Sequence, residues 1–199
     1  MTAIKHQLVA SIGAAIVGIG VGICITTELV ADALGALWEG LATRLPISVG
    51  QASLVVTVVC VIMVLLINPR HLGLGTLLNP LVTSLTTDFI ILRIPTSDNP
   101  VVKMILLVIG ILLIAIGSGI AAAANRSKEG YIALNLALAE KFSGDIAQTR
   151  FLMDLICFVG GMILGGKIMI GPVIGILMIG FVFKQTLRFC EPIFRTTLD

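Results

Sequence analysis

The sequence predicts an all-α membrane protein of about six transmembrane helices, built as a 3+3 inverted repeat with an amphipathic or re-entrant helix after the first span of each half. Three observations lead there. Hydrophobic residues make up 57% of the 199-residue chain and charged residues only 12%, against about a quarter charged in an ordinary soluble domain. Six apolar stretches are long enough to cross a bilayer, which takes about 20 residues each. The chain also resembles itself at a shift of 97 positions, which carries Gln51 onto Gln148 and Cys60 onto Cys157.

The spans are expected near residues 7–26, 50–68, 76–94, 101–124, 147–165 and 169–188. They are separated by Asn68-Pro69-Arg70, by Pro95 and Pro100, and by Gly165-Gly166-Lys167. That length leaves room for one membrane domain over residues 1–199 and for no separate soluble domain. The first apolar run, Leu8 to Ile25, exceeds the 7–15 residues of a signal-peptide core. Its match to the fourth span argues that it is a retained span.

Between spans one and two, residues 28–45 read as an amphipathic helix. Leu34, Leu37, Trp38, Leu41 and Leu45 share one face, with Glu28, Asp32, Glu39 and Thr43 opposite. Residues 126–142 repeat the design with Tyr131, Leu134, Leu138 and Phe142 against Glu129 and Glu140. Either helix can lie on the membrane surface, dip into it or cover the mouth of the bundle.

The shift of 97 also superposes Gly20 on Gly117, Gly22 on Gly119, Ile23 on Ile120, Leu37 on Leu134 and Leu41 on Leu138, and after one deletion Gly75 on Gly171. The halves, 7–94 and 101–188, thus read as one unit used twice. Three spans per unit send the second in from the opposite side of the membrane. Lys5, Arg70, Arg126, Lys128, Lys141, Arg188 and Arg195 on one side outweigh Arg44, Arg93, Lys103 and Lys167 on the other, which places both termini in the cytoplasm.

The net charge of +2 is scattered near segment ends, so a nucleic-acid partner is not expected. Cys24, Cys60, Cys157 and Cys190 lack C-x-x-C spacing and read as packing residues, and no metal or cofactor is implied. Nucleophile elbow, H-E-x-x-H and phosphate loop are all missing, so the chain reads as no enzyme.

Asp154, near the middle of span five, is the strongest single signal, because a charge there costs a few kcal/mol unless protein or water surrounds it. Arg150 precedes it by four residues, and Cys157 and Gly161 continue the face. The pair reads either as a packing device or as a carboxylate lining a cavity. Ser53, Thr57 and Cys60 are the related positions in span two. Gln51 and Gln148 open spans two and five and can converge near a pseudo-two-fold axis or simply cap their helices. Asn79, Thr83 and Thr87 stripe span three, where interhelical hydrogen bonds are the commoner use. Asp88 aligns with Lys184, a pair expected at span ends. Glu28 and Asp32 in the first half match Asn125 and Glu129 in the second, directly after each Gly-containing span. Such interruptions at corresponding places point to a transporter site, with a solvated polar face as the alternative. Gly18 with Gly22, and Gly171 with Gly175, have the G-x-x-x-G spacing of close helix approach.

The pattern Pro69, Leu72-Gly73-Leu74-Gly75-Thr76-Leu77-Leu78-Asn79, its echo Gly165-Gly166-Lys167 and Ile170-Gly171-Pro172-Val173, and the segment carrying Asp32 resemble the YczE/YitT-type bacterial membrane proteins. The resemblance covers nearly the whole chain. It departs after the first span, where Thr26-Thr27-Glu28-Leu29-Val30-Ala31-Asp32 replaces a Gly-rich turn and a Pro-Trp-Asp-like motif. It implies a small integral protein of the bacterial cytoplasmic membrane, of a kind commonly presumed to be a transporter. The expected function is therefore secondary transport or export of a small solute by alternating access. The alternatives are a substrate-binding subunit of a larger importer or a membrane accessory protein. The expected partners are the bilayer, a small solute and, in some arrangements, a second copy of the chain.

Overall fold

The computed structural model describes residues 2–29, 32–73, 75–124, 129–165, 181–183, 185–186 and 188–190. Among them there is no strand. The helices are α1 (Thr2–Thr26), α2 (Ala33–Arg44), α3 (Val49–Ile67), α4 (Gly75–Arg93), α5 (Pro100–Ala124), α6 (Gly130–Lys141) and α7 (Ile146–Ile163), with a 3-10 turn at Pro69–His71. Helices α1, α3, α4 and α5 are long and apolar enough to cross a membrane. They start and end within a few residues of the expected spans, and α7 occupies the position of the fifth. Most of the sixth, including Gly171, Gly175 and Lys184, lies outside the described residues. Leu66 and Leu92 are 82% and 85% exposed, and Leu85, Phe89, Ile105 and Ile156 also face outward. Water would not tolerate such a continuous apolar surface; lipid would. The chain is a helical membrane protein.

Helix α1 packs against both α4 and α5. Its crossing with α5 is antiparallel and made by glycines: a Cβ on Gly20 would stand 2.6 Å from the Gly110 carbonyl oxygen, and one on Gly117 would stand 2.6 Å from that of Gly13. Backbones come this close only without side chains between them. Those two contacts are one contact seen twice, since the 97-position shift carries Gly13 onto Gly110 and Gly20 onto Gly117. The same holds farther along. Gly22 meets Ile90 and the Thr87 carbonyl, and Gly119 meets Thr186 and the Phe183 carbonyl.

The α1–α4 interface is also hydrogen-bonded. Gln7 Nε2 donates to Asn79 Oδ1 at 3.0 Å, Thr83 Oγ1 to the Ala14 carbonyl at 3.0 Å and Thr87 Oγ1 to the Gly18 carbonyl at 3.2 Å. The polar stripe of α4 is therefore helix-to-helix glue, and Gly18 of the G-x-x-x-G pair makes room for it.

The short helices cross between the halves. Helix α2 packs on α7, and α6 packs on α3. Gly161 approaches the Ala36 carbonyl, Gly40 approaches the Gly161 carbonyl, and Arg44 Nε donates to the Leu164 carbonyl at 3.1 Å. On the other side Gly130 lies against Thr57 and Val61, halfway along α3. At the far end of α6, Glu140 accepts from Asn68 Nδ2 at 2.8 Å and meets His71 Nε2 at 3.0 Å, beyond the last turn of α3. Helix α6 thus begins beside the middle of α3 and runs toward its C-terminal end, and α2 lies against the last turns of α7.

One expectation needs correcting. Helix α2 begins at Ala33, so Glu28 is not on its polar face: Glu28 adopts φ 60° just past α1 and pairs with Lys103 at 2.9 Å. The buried face of α2 consists of Gly35, Ala36 and Gly40 rather than the leucines. Packing against a neighbouring helix without water to exclude rewards close backbone approach over side-chain bulk.

Candidate functional site

The chain reverses after α1 through a local device. Thr27 Oγ1 accepts from the Leu29 N–H at 3.1 Å, Glu28 takes the left-handed conformation, and Leu29 folds back onto Cys24, Leu107 and Ile111. This return delivers Asp32 to the N-cap of α2, where its Oδ1 accepts from the Gly35 N–H at 3.0 Å. Glu129 stands at the N-cap of α6 with no side-chain capping bond.

Both caps lie within electrostatic range of α7. Helix α7 presents Arg150 and Asp154 one turn apart, with Arg150 Nε 3.2 Å and 3.1 Å from the two carboxylate oxygens. Tyr131, in the first turn of α6, donates its hydroxyl to Asp154 Oδ1 at 2.7 Å and receives the Arg150 guanidinium over its ring, 4.7 Å from the centroid. Cys157 Sγ lies 3.8 Å from the same hydroxyl. The charge of Arg150 acts on both Asp32 and Glu129, and that of Asp154 acts on Asp32.

Burial pushes the Asp32 carboxyl above its ordinary value. The Gly35 N–H and Arg150 oppose the shift, and Asp154 adds to it. Burial likewise raises Glu129, with Arg150 as the opposing charge. Both carboxyls sit deep among protein atoms yet keep some accessible surface. Such groups hold a proton readily and can still exchange it.

The profile of a family described as of unknown function, DUF6198, matches residues 4–188. This chain belongs to DUF6198. An uncharacterized protein of Haemophilus influenzae is 30% identical over 175 residues, which cover 85% of this chain and 77% of that relative. No solved structure matches the DUF6198 protein.

Of the residues singled out by sequence, the DUF6198 fold pairs Arg150 with Asp154 and leaves Asp32 and Glu129 within range of the Arg150 charge. Asn125 lies outside the described residues. Glu28 is engaged with Lys103, and Asn79 with Gln7, each away from the cluster. Gln51 is exposed and closes a capping box with Ser48, its Oε1 accepting from the Ser48 N–H at 3.0 Å. Gln148 is exposed in the first turn of α7. Asp88 caps α3, accepting from Ser48 Oγ and, at 2.8 Å, from the Gly50 N–H.

One participant, Tyr131, and two buried polar groups elsewhere in the short helices were not read as such in the sequence. Tyr131 looked like one more apolar-face residue, although a buried tyrosine hydroxyl usually has a partner. Trp38 Nε1 and Asn135 Oδ1 are buried with no hydrogen-bond partner among the described residues. They occupy matching positions in α2 and α6, one turn beyond Leu34 and Tyr131 respectively. No apolar pattern signals such a pair; only the superposition of the two halves does.

Proposed function

We propose that this DUF6198 protein is a secondary transporter of a small solute, with its site where the N-termini of α2 and α6 meet α7. The reading rests on one observation above the others. The Arg150–Asp154 ion pair of α7 is bonded to Tyr131 of α6, two residues from Glu129, and Asp32 and Glu129, at equivalent positions of two related halves, lie within range of the Arg150 charge. Transporters built from inverted repeats place substrate and coupling ions near the midplane, at half-helix ends facing the repeat interface.

The parts of that architecture have counterparts here. The mirrored glycine contacts between α1 and α5 support a pseudo-two-fold axis lying across the helices. With the long helices upright in a bilayer, α2 and α6 become half-helices entering from opposite faces, each with its acidic cap near mid-depth. The halves can then rock about the glycine crossing and open the cluster to either side in turn. Six spans with both termini in the cytoplasm complete the proposal, and the YczE/YitT-type resemblance supports the same membrane class.

Flux measured in liposomes containing only the purified chain tests it. Uptake of at least one solute is expected under an imposed proton or sodium gradient, with at least a tenfold loss in Arg150→Gln. Silence across a broad panel of amino acids, amines, sugars and organic acids, under every gradient, removes the transporter reading. Reporter fusions at both termini check the topology, and an external signal at either contradicts it.

A further inference from the structure

An arginine carries its N–H donors in a fixed planar fork, and Arg150 uses only part of it. Its Nε lies 3.2 Å and 3.1 Å from the two oxygens of Asp154, and the plane lies over the Tyr131 ring, 4.7 Å from its centroid. The two terminal nitrogens make no hydrogen bond among the described residues. Asp154 is likewise half engaged. Its Oδ1 accepts from Tyr131 and Arg150, whereas Oδ2 accepts from Arg150 Nε alone, and a carboxylate oxygen has room for two donors. A donor edge and an acceptor oxygen therefore stand side by side on α7, with Tyr131 fixing the orientation of both.

Both ends are reachable. The Arg150 and Asp154 side chains keep 42% and 37% of their surface accessible. That surface is not on the lipid side. Leu152, Leu155, Ile156 and Val159 form the exposed apolar face of α7, and at about 3.6 residues per turn Arg150, Asp154, Cys157 and Gly161 fall on the opposite one. On this inner stripe Gly161 meets Ala36 of α2, and Cys157 meets Tyr131 of α6. The accessible part of the ion pair thus faces the short helices. Arg150 also reaches along α7 toward Asp154, away from the near end of the helix at Ile146. An arginine without a task in a span extends instead toward the nearer water.

We infer that this ion pair binds a small zwitterion of the amino-acid type, with its carboxylate on the terminal nitrogens of Arg150 and its ammonium on Asp154 Oδ2. The inference rests on the transport reading for the passage of the solute, though not for its binding. Charge decides the class. Arg150 and Asp154 balance each other, and burial pushes the Asp32 and Glu129 carboxyls, which lie within range of Arg150, toward their uncharged forms. A lone carboxylate would leave the site negative and a lone ammonium would leave it positive, each costly where water is scarce. A zwitterion leaves it neutral and meets both edges. Its planar carboxylate suits the guanidinium fork, which can offer it two parallel bonds.

The common amino acids, titrated into the detergent-purified full chain, supply the test. Each one that binds is compared with its methyl ester, which keeps the ammonium, and with its N-acetyl derivative, which keeps the carboxylate. At least one amino acid is expected to raise the melting temperature. Its two derivatives are expected to bind about tenfold more weakly or worse, because each leaves a charged bond unmade. Arg150→Lys keeps the charge and loses the fork, and Asp154→Asn keeps the shape and loses the charge. Each should weaken binding by about tenfold or more. The comparison among compounds uses the unaltered protein, so it decides the matter even where a variant fails to fold. No stabilisation by any amino acid, a derivative that binds as tightly as its parent, or undiminished binding in both folded variants overturns the inference. Amino-acid binding without flux in liposomes leaves it standing and sinks transport. Flux of another class of solute without amino-acid binding does the reverse.

Discussion

Helices α2 and α6 have the same length, follow the same kind of span and carry an acidic residue at the same position, yet they are held in different ways. Helix α2 lies on α7 through Gly35, Ala36 and Gly40, backbone against backbone, and its cap carboxylate is spent on Gly35. Helix α6 lies on α3 through Tyr131, Ala133, Leu134 and Ala137, packed around Cys60 and Val64, and its cap carboxylate is free of such a bond. The repeat makes the substitution explicit, because Gly161 and Gly40 on one side stand where Val64 and Ala137 stand on the other. The partner helices differ in the same sense. Ser53 and Thr57 of α3 return their hydroxyls to their own backbone, while Arg150 and Asp154 of α7 form an ion pair. Both short helices thus begin at an acidic cap, and of their two partner helices only α7 carries an ion pair.

Making the two sides alike is the most severe way to break this comparison. Gly161→Val places a side chain where a Cβ alone would stand 2.5 Å from the Ala36 carbonyl oxygen, with an expected cost of about 3 kcal/mol or more. Val64→Ala on the opposite side leaves only a small cavity, at about 2 kcal/mol. Thermal melts of the two variants in one detergent should show the first far below the second; equal losses would mean that α2 and α6 are not differently packed. Tyr131→Phe, which removes the one α6 group bonded to Asp154, is expected to cost about 1.5 kcal/mol. Its mirror change, Leu34→Ile, should be nearly silent.

Smaller changes sharpen the comparison at the caps. Asp32→Ala loses a helix cap and should cost about 1 kcal/mol, whereas Glu129→Ala loses no such bond and should leave the melting temperature unchanged or raised. Asn135→Leu relieves an unsatisfied buried carbonyl and is expected to stabilise by about 1 kcal/mol. Because folding raises both acid groups, the native state binds more protons than the unfolded chain, so their contribution to stability is complete below the ordinary values of 3.8 and 4.5 and is lost as pH rises through the raised ones. Melting temperature should therefore fall with increasing pH across that window, and the Asp32→Asn, Glu129→Gln variant should flatten the fall.

The long helices were legible in the sequence because length and apolarity alone decide whether a segment can span, and the ends at Thr26, Ile67, Arg93 and Ala124 lie beside breaks visible in the chain. The matching of Asp32 with Glu129 and the pairing of Arg150 with Asp154 were legible too, one from the repeat and the other from helical spacing. Hidden were the features that depend on a partner helix. Periodicity puts Leu37 and Leu41 on one apolar face, but the residues α2 buries are Gly35, Ala36 and Gly40. Glu28 looked helical because nothing in its neighbourhood announces a left-handed turn on a residue other than glycine. Asn79 reads first as interhelical glue and second as a ligand-binding residue, and its bond with Gln7 agrees with the first. Which long helix each short one packs on follows from no local pattern at all.

The central claim is that one arginine of one half serves the acidic caps of both, and the most direct measurement is an infrared titration of Asp32 and Glu129, each resolved by its amide variant, with and without Arg150→Gln. Removing the guanidinium should raise the midpoints of both carboxyls, since Arg150 lowers each of them in the intact protein. A shift in one carboxyl alone, or in neither, would contradict the convergence of the two halves on this site.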